Sequence, residues 1–267
     1  MQISLPMYDL PCVEKATDAW GEGLVRALER EGVSDVTARL TRGKSVDELW
    51  RSPDLLLSQT CGYPLLTEFA NDLFLLLTPI YQTPGCEGAS YRSFIVVHAD
   101  NDAETLDDMR GSRCAINGPT SQSGMNVLRR TVAPLTRDGQ FFSEVVVSGK
   151  HPVSIAMIAA GQADVAAIDC VTFGLMARYD PDSVSAVRIL AETQSAPSLP
   201  YVTRHDATPD LSRRLTAALN RAAEDPDLAV ARDDLLLDGF TALSLGDYTV
   251  MTEMEAEAAE LGYPALA

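Results

Sequence analysis

The chain has 267 residues, 46% hydrophobic and 22% charged, an ordinary globular balance with enough apolar mass for one large domain or two moderate lobes. Its 21 Lys and Arg against 38 Asp and Glu leave a net charge of −17, which repels a polyanion and argues against a nucleic-acid partner, while a small anion held by local donors stays allowed. The five cysteines are scattered with no CxxC pair or Cys/His cluster, so neither a disulfide framework nor a metal site is indicated, and no run approaches the ~20 apolar residues that span a bilayer.

Residues 3–8 read as a short strand ending at the aromatic Tyr8, and 14–30 as a helix whose Trp20, Leu24, Val25 and Leu28 recur at helical spacing before Gly32. A strand is expected over 36–40, a short helix over 46–50 and a continuous apolar strand over 54–58. The polar turn through Gln59, Thr60, Cys61 and Gly62 follows it. After a strand over 73–78, the Pro/Gly loop 83–88 and the alternating strand 91–97, which carries Arg92, look like a crossing between lobes. A helix over 105–110 and a strand ending at Ile116 lead into Asn117-Gly118-Pro119-Thr120-Ser121-Gln122-Ser123-Gly124, with a helix over 125–135 beyond. Strands over 142–147, 165–168 and 187–191 and helices over 152–160 and 171–178 follow. The remainder reads as helices over 209–223, 228–237 and 252–261.

This alternation predicts an α/β fold with mainly parallel sheets and ligands at the carboxyl ends of strands. Polar turns stand at three such ends, after Leu57, Ile116 and Ile168. The richest is 117–124, where Thr120, Ser121 and Ser123 add hydroxyl donors to the unpaired amides and positive dipole of a helix start. One such hydroxyl also serves as an ordinary N-cap. His151 lies in another strand-to-helix turn, where a lone histidine reads first as a solvated or capping loop residue and only second as a site, and Asp169 ends an apolar strand, placed either to cap the next helix or to pair with a ligand cation or hydroxyl. Arg92 and Tyr8 are weighed between ordinary surface or strand-end roles and ligand contacts. Cys61 has no evident base, and His98 and His205 stand apart from any metal-ligand pattern. With no GxSxG, GxxxxGK[ST] or GxGxxG motif, no catalytic residue, metal or cofactor is assigned.

The segment Gly111-Ser112-Arg113-Cys114-Ala115-Ile116-Asn117-Gly118-Pro119-Thr120-Ser121-Gln122-Ser123-Gly124 resembles the G-x-x-x-A-x-x-x-P-x-S-x-S-G segment of phosphonate-type substrate-binding proteins of ABC transporters. Gly149-Lys150-His151, followed by residues 161–169 from Gly161 to Asp169, is similar to their G-x-H … A-G-x-A-D-V-A-x-x-D segment. The resemblance covers roughly residues 3–205. It implies a type 2 periplasmic-binding-protein fold, with lobe one from 1–90 and 190–267 and lobe two from 91–189. Two crossing strands would join the lobes, and a small anionic ligand would lie in the cleft between them.

In such a protein Thr120, Ser121 and Ser123 would bind the phosphonate oxygens with the Gln122 and Gly124 amides nearby, and Ser58, Gln59 and Thr60 would supply the opposing jaw. His151 falls on the family histidine and Asp169 on the aspartate associated with a ligand amine. Pro152 stands where the family commonly has an acidic residue after that histidine. The implied partner is a transporter permease, with no membrane insertion of this chain. Residues 1–12 lack a signal-peptide pattern, so the expected compartment is the periplasm if a leader has been removed and the cytoplasm if the chain is complete. Two alternatives stay open on the same fold: a cytoplasmic enzyme using His151, Asp169 or Cys61, and a ligand sensor that contacts a regulatory partner on closing.

Overall fold

In the computed structural model, which describes every residue from Met1 to Ala267, the chain divides into two compact units. Unit one comprises Met1–Gln82, Glu87–Ala89 and Pro197–Asp247, and unit two comprises Thr83–Cys86, Ser90–Ala196 and Tyr248–Ala267.

Unit one is built on a five-stranded sheet in the order Gln2–Ser4, Leu55–Gln59, Tyr201–Arg204, Leu73–Tyr81, Leu237–Thr241. Leu55–Gln59 is buried along its whole length, as its unbroken apolar run predicts. One face of this sheet packs into a cluster of Leu49, Trp50, Leu65, Phe69 and Val202, in which the Trp50 and Phe69 rings meet edge to face at 5.0 Å. The amphipathic helices Glu14–Arg30 and Pro209–Glu224 bury Trp20, Leu24, Leu28, Leu215 and Leu219.

Unit two carries a second five-stranded sheet, ordered Val187–Glu192, Ser93–His98, Val165–Asp169, Arg113–Ile116, Glu144–Val147. Ile95, Val96, Ala115, Ala166 and Ile168 are fully buried at its centre. Helices His151–Ala159 and Cys170–Tyr179 continue directly from the loop or strand before them, and Pro152 fits the first turn of the former, where its missing N–H costs nothing.

The α/β class stands, but the sheets are mixed rather than mainly parallel. In unit one only Gln2–Ser4 and Leu55–Gln59 pair in parallel, and the other three pairings are antiparallel. In unit two Arg113–Ile116 is parallel to both neighbours, while Ser93–His98 runs antiparallel to both of its own. A strand buried on both faces has the same side-chain pattern whichever way its neighbour runs, so the apolar runs carried no direction.

Several elements also differ. The first strand stops at Ser4, and residues 36–40 run as irregular chain with Asp35 at φ 61°, held by isolated bonds such as Thr37 N–H to the Met1 carbonyl at 2.9 Å. The helix expected over 228–237 ends at Asp234. Leu236 turns to φ 57°, and Leu237–Thr241 becomes a strand. The last helix, Val250–Glu260, expected with lobe one, packs in unit two instead. Asn126 donates to the Met251 carbonyl at 2.8 Å, Arg129 donates to the Pro264 carbonyl at 2.8 Å, and the Phe141 amide donates to the Ala267 carbonyl at 2.8 Å.

Candidate functional site

In unit two, strand Arg113–Ile116 delivers the chain into a turn that ends in a helical segment starting at Gln122, three residues earlier than periodicity suggests. Its first turn, Gln122–Asn126, is a π-helical turn that runs straight into Val127–Val132; such turns recur at functional sites. Ser121 is the N-cap: its Oγ accepts from the Gly124 amide at 3.1 Å. The same Oγ lies 3.4 Å from Ser123 Oγ, which in turn lies 2.9 Å from His151 Nε2. An N-cap serine spends a lone pair on the backbone and keeps its proton, so capping and donation to an anion are compatible. Thr120, half-buried, precedes it in the turn.

The sheet brings further polar groups to this edge. Ser93, at the head of its strand, is paired in register with Asp169 at the end of the neighbouring one, and its hydroxyl donates to the Ser123 carbonyl at 2.8 Å. The Ser93 amide donates to Thr193 Oγ1 at 2.9 Å. Gly124 permits the turn to close. A side chain there would place Cβ 1.9 Å from Asn117 Oδ1 and 3.2 Å from His151 Cε1.

His151 is 8% exposed, and burial pushes it down to about 4 against the opposing pull of the Ala167 backbone. The ring is therefore neutral near pH 7. The Ser123 hydroxyl and His151 Nε2 share one hydrogen bond, whose direction depends on the ring tautomer, so the pair sets a neutral, fixed polar contact at the turn.

The other expected residues are placed as follows. The Gln122 side chain turns inward, accepting from Asn126 Nδ2 at 2.7 Å and donating to Met254 Sδ at 3.2 Å. The Gly124 amide is taken by Ser121. Asp169 is 1% exposed and caps helix Cys170–Tyr179, its Oδ1 accepting from the Val171 amide at 2.8 Å and the Thr172 amide at 2.9 Å. The Arg92 guanidinium is paired with Glu192 at 2.7 Å.

In unit one, Ser58 is fully buried and accepts from Trp50 Nε1 at 3.3 Å. Gln59 points to the opposite face, donating to Tyr81 OH at 2.9 Å and to the Leu199 carbonyl at 3.0 Å. Thr60 is fully buried, with its amide on the Pro200 carbonyl at 3.0 Å. Tyr8 meets Tyr81 edge to face at 5.2 Å, and with Gln59, Trp20 and Tyr201 these rings line a cavity of about 20 Å³, room for about one water. Burial raises the Tyr201 phenol well above its ordinary value, and Trp20 Nε1 donates to it at 3.1 Å.

Sequence reasoning missed Ser93 and Thr193, which bond the Ser123 carbonyl and the Ser93 amide. Ser93 was the more findable, a lone hydroxyl heading the apolar run Phe94-Ile95-Val96-Val97. No group of three His, Cys, Asp or Glu side chains is placed to hold a metal, and no helix is long and apolar enough to cross a membrane.

Among solved structures, the chain is similar to a binding-protein component of an ABC phosphonate transporter from Pseudomonas aeruginosa, at 14% identity and TM-score 0.80 over 98% of this chain and 87% of that one. It is also similar to PhnD1 of Prochlorococcus marinus in complex with methylphosphonate, at 14% identity and TM-score 0.79 over 97% and 98% of the two chains. The alkanesulfonate-binding protein SsuA of Xanthomonas axonopodis pv. citri bound to MOPS matches at 16% identity and TM-score 0.67 over 98% and 93%. At these identities the likeness establishes the fold, that of two-lobed periplasmic binding proteins. The model of the periplasmic substrate-binding proteins of phosphonate ABC transporters matches residues 52–248, well over half of the chain. The chain belongs to that family.

Proposed function

We propose that the chain captures a small oxyanion, a phosphonate, phosphate ester or related group, for an ABC transporter permease, working in the periplasm and releasing its ligand unchanged. Thr120, Ser121 and Ser123 donate to the anion's oxygens. The observation that carries this reading is the run of polar atoms Ser121 Oγ, Ser123 Oγ and His151 Nε2, spaced 3.4 and 2.9 Å, at the start of an eleven-residue helical stretch, Gln122–Val132. Hydroxyls fixed by neighbours need no reorganisation when the anion arrives, and the helix dipole adds partial positive charge at the same point. The net charge of −17 does not oppose this, because distant surface charge is screened over ~8 Å while these donors act at contact.

An enzyme reading draws on the Ser123–His151 contact, but no carboxylate hydrogen-bonds His151 Nδ1 to orient the imidazole. In unit one, Ser58 is hydrogen-bonded to Trp50, Gln59 to Tyr81 and the Thr60 amide to the Pro200 carbonyl.

Thermal unfolding with methylphosphonate, phosphate and methanesulfonate tests the proposal. A true ligand at a hundred times its Kd adds ~2.7 kcal/mol of stability. The combined Thr120→Ala, Ser121→Ala, Ser123→Ala variant loses that ligand-specific increment. An undiminished increment removes these hydroxyls from the site, and phosphorus NMR of the recovered ligand showing a new species restores the enzyme reading.

A further inference from the structure

Two of the five cysteines that look unrelated in the sequence, Cys86 and Cys170, have their sulfurs 3.5 Å apart within unit two. The backbone holds them there. Cys86 closes a tight turn with its amide on the Thr83 carbonyl at 3.0 Å, the Arg92 amide donates to the Gly85 carbonyl at 3.1 Å, and the Cys170 amide donates to the Arg92 carbonyl at 3.1 Å. Gly85, at φ 93°, is what allows the turn to lie on Cys170: a Cβ there would sit 2.7 Å from Cys170 Cβ and 3.0 Å from its Sγ. Cys86 is half-buried and within reach of a reagent, while Cys170 is fully buried behind it.

We propose that Cys86 and Cys170 are a redox pair that closes to an intramolecular disulfide. The sulfurs need to approach by only about 1.5 Å to reach the ~2.05 Å of an S–S bond. With a small-molecule disulfide as oxidant, the Cys86 thiolate attacks one of its sulfurs, forming a mixed disulfide and expelling one thiolate. Cys170 sulfur then attacks Cys86 sulfur, the mixed bond breaks, and the second thiolate leaves. The two protein thiol protons end on the two released thiols, so the protein is oxidised by two electrons and the reagent reduced by two. The Cys86 hydrogen bond and burial both raise the Cys170 thiol, which makes Cys86 the sulfur that enters first.

The bond would fasten the segment where the chain leaves unit two at Cys86 and re-enters it at Ser90 to the helix that Asp169 caps. The oxidation state of the pair therefore sets how freely residues 83–89 move.

The test is incubation of the folded protein with oxidised glutathione, followed by thiol titration in denaturant and peptide mapping without reductant. The Cys12→Ser variant, run in parallel, removes a half-buried thiol elsewhere in the chain. Wild type is expected to fall from its five titratable thiols by two, with one cross-linked peptide pair joining Cys86 to Cys170 and a lower rate of proteolysis over 83–89 that dithiothreitol restores. Cys12→Ser is expected to form the same cross-link. Five free thiols after oxidation, glutathione left on Cys86 as a stable adduct, or a cross-link that includes another cysteine each overturns the proposal.

Discussion

Two turns in this molecule have nearly the same recipe and opposite outcomes. In each, a buried apolar strand runs into hydroxyl and amide side chains and then a helix: Leu55–Gln59 into Thr60 and Gly62, Arg113–Ile116 into Thr120, Ser121 and Ser123. In unit one the polar side chains belong to the strand or touch its last residue, so the pleat sends Ser58 to Trp50 on the preceding helix and Gln59 to Tyr81 on another strand. In unit two the hydroxyls begin after three residues of loop, and Ser121 and Ser123 line up with each other and with His151. The helix beyond is also longer, Gln122–Val132 against the six residues of Gly62–Thr67. Composition at a strand end is therefore a weak guide. What matters is how many residues past the pleat the donors stand.

The contrast can be broken in several ways. The largest expected effect is at His151. Its pKa falls from 6.5 to about 4 on folding, so it contributes stability that is present above pH 6.5 and lost as pH falls toward 4. A shift of this size corresponds to about 3 kcal/mol. Denaturant unfolding at pH 7 and pH 4 should show wild type losing about that much more than His151→Gln; parallel losses would mean that the imidazole is not buried neutral.

Next, Ser58→Ala leaves Trp50 Nε1 unpaired in the core and should cost about 1–3 kcal/mol of stability with ligand affinity unchanged. A fall in affinity would restore Ser58 to the ligand. Gly124→Ala forces Asn117 and His151 away from the turn, costs about 1–3 kcal/mol by overpacking and weakens the anion, a joint loss that thermal shift and calorimetry can separate. Ser121→Ala has the smallest effect on stability, about 1 kcal/mol for the lost cap, yet it should weaken the ligand about tenfold or more if its proton reaches the anion. The same stability loss with no change in affinity would make Ser121 a cap and nothing else.

Much of unit two was legible in its residues. The strand ending at Ile116, the hydroxyl turn, the strand ending at Asp169 and the helix after each follow from apolar runs interrupted by polar clusters. Strand direction was not legible, because burial on both faces erases alternation. Nor was the strand Leu237–Thr241: the run Leu235-Leu236-Leu237 suits a buried helix as well as a strand, and only the left-handed turn at Leu236 separates them. The partners of Ser93, Thr193 and Cys86 lie 30, 100 and 84 residues away, and side-chain direction at such separations is a property of register that one sequence does not display.

The most direct measurement is a crystal structure of the protein grown with the best-binding anion from the thermal screen. The account predicts anion oxygens within ~2.5–3.0 Å of the Ser121 and Ser123 hydroxyls, with His151 Nε2 still on Ser123. An anion bound elsewhere, with both serines bonded only to each other and to the backbone, would contradict it.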